Sequence, residues 1–273
     1  MTHTYTILGA SGFIGQHVVR AIRAAGGTCF TPRRDAPEVF ERDLGHVIYC
    51  IGLTADFRQR PLDTVHAHTG YLARVLERAR FDKLVYLSST RLYDALPTST
   101  CSEDTPLQLD PANPRHLYDL SKALGENLCL TAADGRASVA RLSCVYAQAS
   151  GAPGFLSDLL ARLAHARAVH LNSSSGYVRD YVHVDDVVRA LLRMLEQPAP
   201  GIYNVASGEN LSNQALADLL RAHGYTLTLA HNSARQPMPV CDITKLKCAL
   251  GVDPITVGAF LSRHLRTVEH GSD

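Results

Sequence analysis

The chain has 273 residues, 46% of them hydrophobic, and a formal net charge of +1. That length can bury one large domain or two coupled lobes. Near-neutral charge removes the electrostatic case for nucleic acid or an anionic membrane surface, and no apolar run is long enough to span a bilayer. In chain order, periodicity predicts strands at 4–8, 28–31, 46–51, 83–88 and 137–142. It predicts helices near 13–25, 62–80, 115–133, 154–167, 184–196, 212–223 and 255–267. Strands alternating with helices imply an α/β fold, a Rossmann-like doubly wound parallel sheet, with a small C-terminal substrate-binding lobe. The expected division is a sheet domain over 1–145, with 180–200 packing back onto it, and mainly the small lobe over 146–273.

The first strand runs into Gly9-Ala10-Ser11-Gly12-Phe13-Ile14-Gly15 and then an amphipathic helix. Gly9 permits a tight turn, Gly12 lets backbone N–H groups approach a pyrophosphate, and Gly15 allows helix to pack on strand. Gly9, Ser11, Gly12, Phe13, Ile14 and Gly15 are therefore candidate dinucleotide-binding residues. The second strand ends without Asp or Glu and is followed by Pro32-Arg33-Arg34. An acid there binds the ribose hydroxyls of NAD, whereas arginine suits the 2′-phosphate of NADP. Arg33 and Arg34 thus favour NADP(H), with NAD(H) as the alternative.

Tyr118 and Lys122 stand four apart, on one face of a predicted helix, and the chain has only four lysines. Leu87-Ser88-Ser89-Thr90 closes the strand before them. A tyrosine with a usual pKa near 10 is a poor base at neutral pH, and a neighbouring ammonium favours its phenolate. A serine hydroxyl can hydrogen-bond the reacting oxygen. Tyr118, Lys122 and Ser89 are the candidate catalytic set.

At these residues the chain resembles the extended short-chain dehydrogenase/reductase superfamily, and within it the NAD(P)-dependent sugar-nucleotide epimerase/dehydratase family. Ser88-Ser89-Thr90-Arg91-Leu92-Tyr93, Asn113 to Lys122, Arg179 to Asp186, Gly201 to Gly208 and Asp242 to Leu246 carry the resemblance in order. It implies that Lys122 also holds the nicotinamide ribose. Counting back from Tyr93 selects Ser89 as the catalytic hydroxyl, with Thr90 as runner-up. Related dehydratases carry an acidic pair where Thr90 and Arg91 stand, so dehydration is disfavoured. Thr90, Arg91, Cys144 and Arg179 are candidate substrate contacts, Arg179 because a guanidinium fork matches phosphate. Three places depart from the resemblance: the loop from Asp35 to Asp43 is short, which trims the adenine pocket, and His68 and Cys144 each replace an Asn. Cys144 weakens the case for a nucleotide diphosphate and leaves a smaller sugar open.

The implied activity is epimerisation or keto-reduction at a carbinol or ketone of a nucleotide-activated sugar. A dehydrogenase of free sugars or uronic acids remains the enzymatic alternative, and a non-catalytic dinucleotide-binding sensor or scaffold the other. The resemblance implies a homodimer built on the helices near 62–80 and 115–133, through stripes of Leu62, Val65, Leu72, Val75 and Leu76 and of Leu117, Leu120, Leu124 and Leu128. Seven scattered cysteines without Cys-x-x-Cys read as reduced thiols in a cytoplasm, and no His spacing suggests a metal. Met1-Thr2-His3-Thr4 lacks a signal-peptide pattern. Segments 148–154 and 172–176, rich in small residues, are candidate hinges or lids.

Overall fold

The computed structural model describes residues 4–54, 56–148, 151–197 and 200–269. Six parallel strands form one sheet in the order Ile202–Val205, Ala137–Leu142, Lys83–Ser89, His46–Tyr49, Tyr5–Leu8, Cys29–Phe30. The four residues of His46–Tyr49 and the six of Ala137–Leu142 are all buried. Such strands are covered on both faces, as a parallel sheet requires. The order reverses beside Tyr5–Leu8, which lies between the second and third strands. Ligands of open α/β sheets bind at the carboxyl ends of strands at such a reversal.

The five predicted sheet strands all form, and the sheet has a sixth, Ile202–Val205. Its four residues carry no alternation. Only pairing with Ala137–Leu142, in the register Ile202↔Val139 to Val205↔Leu142, makes it a strand. Helix Val184–Glu196 packs on the same layer. Val187, Val188, Ala190, Leu191, Met194 and Leu195 join Ile7, Val18, Ile48, Val85 and Val205 in one core. Its ends suit a helix: Asp185 and Asp186 stand in the first turn and Arg193 in the last. Leu246, Leu250 and Val252 from the far end of the chain belong to that core too.

A second core gathers Tyr146, Leu156, Leu159, Leu160, Leu216, Leu220, Leu261 and Leu265. Around it lie small sheets, Asn210–Ser212 with Val178–His183 and Cys144–Tyr146, and Thr226–His231 with Ala168–Ser174. These are the smaller lobe.

Two expectations are corrected. The helix predicted near 62–80 forms over Pro61–Arg78 but is not α-helical throughout: Pro61–Val65 passes through a π-helical turn, His66–Gly70, into Tyr71–Arg78. The wide turn accommodates His68, which is fully buried, and places Tyr49 Oη 2.7 Å from the Ala67 carbonyl. Nor is the leucine stripe all surface. Leu72, Val75 and Leu76 pack on the sheet with Tyr49, Leu84 and Tyr86, because the interruption rotates the second half inward. Leu62, Val65 and Leu124 remain exposed.

Segment 172–176 is half strand and is held in place. Asn213 Nδ2 donates to Ser173 Oγ at 2.9 Å and to the Ser174 carbonyl at 2.8 Å. Ser175 Oγ donates to Asn232 Oδ1 at 2.7 Å. The other predicted hinge, 148–154, includes residues 149 and 150, which lie outside the described residues.

Candidate active site

The glycine turn adopts the geometry its residues suggest. Gly9 has φ +85°, in the left-handed region, and a β-carbon on it would stand 3.0 Å from the Cys50 carbonyl carbon. Gly12 N–H donates to the Gly9 carbonyl at 3.0 Å. A β-carbon on Gly15 would approach the Gly9 oxygen to 2.4 Å, so the helix lies against the turn only as glycine. The helix Phe13–Ala24 starts with no side-chain cap and no acid in its first turn. Its first N–H groups and its positive dipole end therefore face the carboxyl edge of the sheet, where a pyrophosphate fits. Ser11 and Gly12 are exposed there and Phe13 and Ile14 half-buried. Arg33 and Arg34 are exposed at the end of the second strand, and Arg33 lines an open hollow of about 710 Å³ with Phe30 and Arg42.

Tyr118 and Lys122 lie on one face of helix Leu117–Ala132, and both are buried. Lys122 Nζ donates to the Leu87 carbonyl at 2.7 Å, which ties the helix to the strand bearing Ser89. Burial pushes the Lys122 ammonium down to about 7, with Glu126 one turn on pulling it back up. Burial raises the Tyr118 phenol. Hydrogen bonds with the side chains of Ser89 and Thr54, and the charge of Arg91, act the other way. Ser89 thus faces Tyr118. Thr90 does not: it is buried, and its hydroxyl turns back to the Leu142 carbonyl at 3.4 Å.

His68 supports this group from the π-helical turn. Its Nε2 accepts the Leu53 N–H at 3.2 Å, which leaves the proton on Nδ1 to donate to Ser121 Oγ at 2.8 Å. Ser121 in turn donates to the Tyr118 carbonyl at 2.8 Å. Burial, then the charge of Lys122, lowers His68 to about 2, so the ring stays neutral. A β-carbon at Gly52 would come within 3.3 Å of His68 Nε2 and 3.5 Å of Lys122 Nζ, so glycine keeps this approach open.

Lys122 carries a prediction about stability. Its folded-state value, about 7, lies below the usual 10.5. Between these values the unfolded chain binds the proton that the folded chain refuses, so this residue's contribution to stability rises with pH across that window and the penalty is complete below it. Lys122→Met should melt higher than the parent at pH 7, and the gap should narrow by pH 9. Thermal unfolding of both across that range checks it; a parallel pair of curves overturns it.

Behind the site stands a network invisible in any short motif. Glu126 and Arg141 are each 3% exposed and pair bidentately, Nε to Oε1 at 2.9 Å and Nη2 to Oε2 at 2.6 Å. Ser88 Oγ donates to Glu126 Oε1 at 2.5 Å. Arg141 Nη1 donates to Tyr93 Oη at 2.6 Å, and Tyr93 Oη donates to Asn204 Oδ1 at 2.8 Å. The helix bearing Tyr118, the strand that ends at Ser89 and the sixth strand are thereby joined.

The remaining candidates come from both lobes. Arg179 Nη2 lies 3.6 Å from Asp94 Oδ2, and its guanidinium stacks 4.5 Å over Tyr177. Its neighbour Asp180 is structural: its buried carboxylate accepts the N–H groups of Ser207, Gly208 and Glu209 at 2.9, 2.8 and 3.2 Å. Cys144, on the strand paired with theirs opposite Tyr181, is exposed, and desolvation by the protein around it pushes its thiol up to about 11. Arg91 Nε lies 3.3 Å from Asp119 Oδ1. Thr54, Phe57, Asp94 and Asp119 went unnoticed in the sequence. Only Asp119, beside Tyr118, had a positional signal; the rest reach the site from loops.

A doubly wound sheet with an open glycine turn at its reversal point defines a dinucleotide-binding enzyme fold. The chain belongs to the NAD dependent epimerase/dehydratase family, whose model matches residues 5–206. It is similar to dTDP-4-dehydro-6-deoxy-D-allose reductase of Streptomyces bikiniensis, 24% identical across 98% of this chain and 96% of that one. Among solved structures it is similar to UDP-glucose 4-epimerase of Thermotoga maritima with UDP-glucose, with TM-score 0.78, 21% identity and coverage of 99% of this chain and 100% of that chain. It is also similar to RMD from Pseudomonas aeruginosa complexed with NADPH, with TM-score 0.72, 23% identity and coverage of 98% and 99%.

Proposed function

We propose that this chain interconverts a carbinol and a ketone on a nucleotide-activated sugar, by keto-reduction or by epimerisation, with Ser89, Tyr118 and Lys122 as catalytic residues and NADP(H) preferred over NAD(H). The observation that carries this reading is the buried Tyr118, hydrogen-bonded to Ser89 with Lys122 one helical turn away. When bound, the nicotinamide supplies or accepts the hydride. Tyr118 Oη gives its proton to the substrate oxygen in reduction and takes one in oxidation. Ser89 hydrogen-bonds the same oxygen as charge develops on it. Lys122 stabilises the phenolate and contacts the nicotinamide ribose. The glycine turn binds the pyrophosphate, and Arg33 and Arg34 meet the 2′-phosphate, which should contribute roughly 1–3 kcal/mol. Arg179 exchanges Asp94 for a substrate phosphate, beside Cys144. Similarity along nearly the whole chain to a reductase supports reduction ahead of epimerisation.

The test combines calorimetry and turnover. NADPH should bind more tightly than NADH, and a panel of nucleotide-linked 4-keto sugars should consume NADPH stoichiometrically. Retained cofactor with isomerised sugar and no net absorbance change would select epimerisation. Equal cofactor affinities would show that Arg33 and Arg34 stay in solvent. Cys144 and the existing Arg179–Asp94 pair favour one second reading, a dehydrogenase of free sugars or uronic acids. Turnover of those and not of nucleotide sugars would select it.

We also propose a homodimer through the faces of Pro61–Val65 and Leu117–Ala132. Leu62 is 83% exposed and Leu124 51%, an apolar pairing that solvent alone disfavours. Sedimentation equilibrium at micromolar concentration should return twice the chain mass, and Leu62→Glu with Leu124→Glu should return it to one. A monomeric parent overturns this interface.

A further inference from the structure

Arg91 is the second residue of the short turn Thr90–Tyr93, and its N–H donates to Ser89 Oγ at 3.2 Å. Its side chain turns inward over the tyrosine. Cζ lies 5.0 Å from the ring centroid of Tyr118 and 4.7 Å from that of Phe57, and these two rings are 5.6 Å apart. Asp119 anchors the guanidinium at Nε, and Nη2 donates to the Arg115 carbonyl at 3.4 Å. Asp119 is buried and follows Tyr118 on the same helix, so one element supplies both the ring and the anchor. Lys122 Nζ stands farther off, 6.0 Å from the Tyr118 centroid, with Leu87 as its acceptor.

We propose that Arg91 is a positioning cation of the reaction, whose guanidinium on the face of Tyr118 stabilises the phenolic oxygen as it releases its proton to the substrate. The proposal rests on the reading of Tyr118 as the proton donor. A ring that loses its phenolic proton becomes richer in electrons, and a cation over its face gains from the change. All the groups around Tyr118 enter the balance. Lys122 from its own helix acts in the same sense. Asp119 from that helix opposes. His68 from the π-helical turn is neutral, Ser89 and Thr54 hydrogen-bond the oxygen, and Tyr86 and Phe57 contribute no charge at neutral pH. Arg91 is the cation nearer the ring, and Asp119 holds it there rather than letting it follow a substrate.

The chain labelled at tyrosine Cζ allows a direct test by magnetic resonance. The Tyr118 signal is identified by its loss in Tyr118→Phe, and its titration is followed from neutral pH upward in parent, Arg91→Met and Arg91→Lys. The expected result is a midpoint about one pH unit higher in Arg91→Met, largely restored in Arg91→Lys, which keeps the charge. Arg91→Gln serves in place of Arg91→Met should the latter not fold. The limb of the pH–rate profile assigned to Tyr118 should move with the midpoint while KM stays within a few-fold. A midpoint unchanged or lowered without the guanidinium overturns the proposal, and so does a parent Tyr118 that never ionises before the chain unfolds. Failure of the catalytic reading shows separately, as an active Tyr118→Phe.

Discussion

Tyr118→Phe is expected to lower turnover by about 10²- to 10⁴-fold while cofactor affinity barely changes. The substitution removes one oxygen. The ring keeps its contacts with Phe57 at 5.6 Å and with His68 at 5.2 Å between centroids, so the helix has no reason to move. Ser89 and Thr54 lose a hydrogen-bond partner at the site, not in the core. Lys122 keeps its bond to Leu87, and the glycine turn lies on another element. Rate and binding should therefore separate. Lys122→Ala should damage both, because Lys122 serves the phenol and the ribose. Ser89→Ala should cost more rate than Thr90→Ala, since the Thr90 hydroxyl faces Leu142. Single-turnover rates on the authentic substrate, alongside calorimetric affinities, measure this. Turnover in Tyr118→Phe within a few-fold of the parent would remove Tyr118 from the mechanism and favour a binding protein.

Glu126→Leu should destabilise the fold by about 3–5 kcal/mol, because it leaves the Arg141 guanidinium buried without its counter-charge. For a chain of this size that corresponds to a fall in Tm of roughly 6–20 °C. Ser88 loses its acceptor as well, next to the residue that aims at Tyr118. Adding Arg141→Met should recover much of the loss, since an apolar pair of similar volume replaces an ion pair at little cost. Thermal unfolding of the two singles and the double forms the cycle. A single variant within 1 kcal/mol of the parent, or a double no better than the single, would show that the pair does not act as a buried unit.

The sequence alone determined the features that follow from local periodicity and glycine chemistry. The glycine turn, the strand-helix alternation and the Tyr118/Lys122 face are each set within a few residues, where sterics and helical spacing leave few alternatives. Family membership was legible from the order of such motifs. Other features were decided only by tertiary contact. Ile202–Val205 is a strand because Ala137–Leu142 lies beside it. The π-helical turn at His66–Gly70 accompanies the burial of His68 between Leu53 and Ser121, residues far from it in the chain. Past that turn Leu72, Val75 and Leu76 lie on the sheet while Leu62 stays at the surface, a division no single helical period anticipates. Glu126 and Arg141 read as ordinary charged residues until the helix and strand that carry them are packed together. That Phe57, Tyr118 and Asp119 surround Arg91 is visible only in the packed chain. Low-dielectric pairing and ring stacking depend on through-space distance, which sequence spacing does not encode.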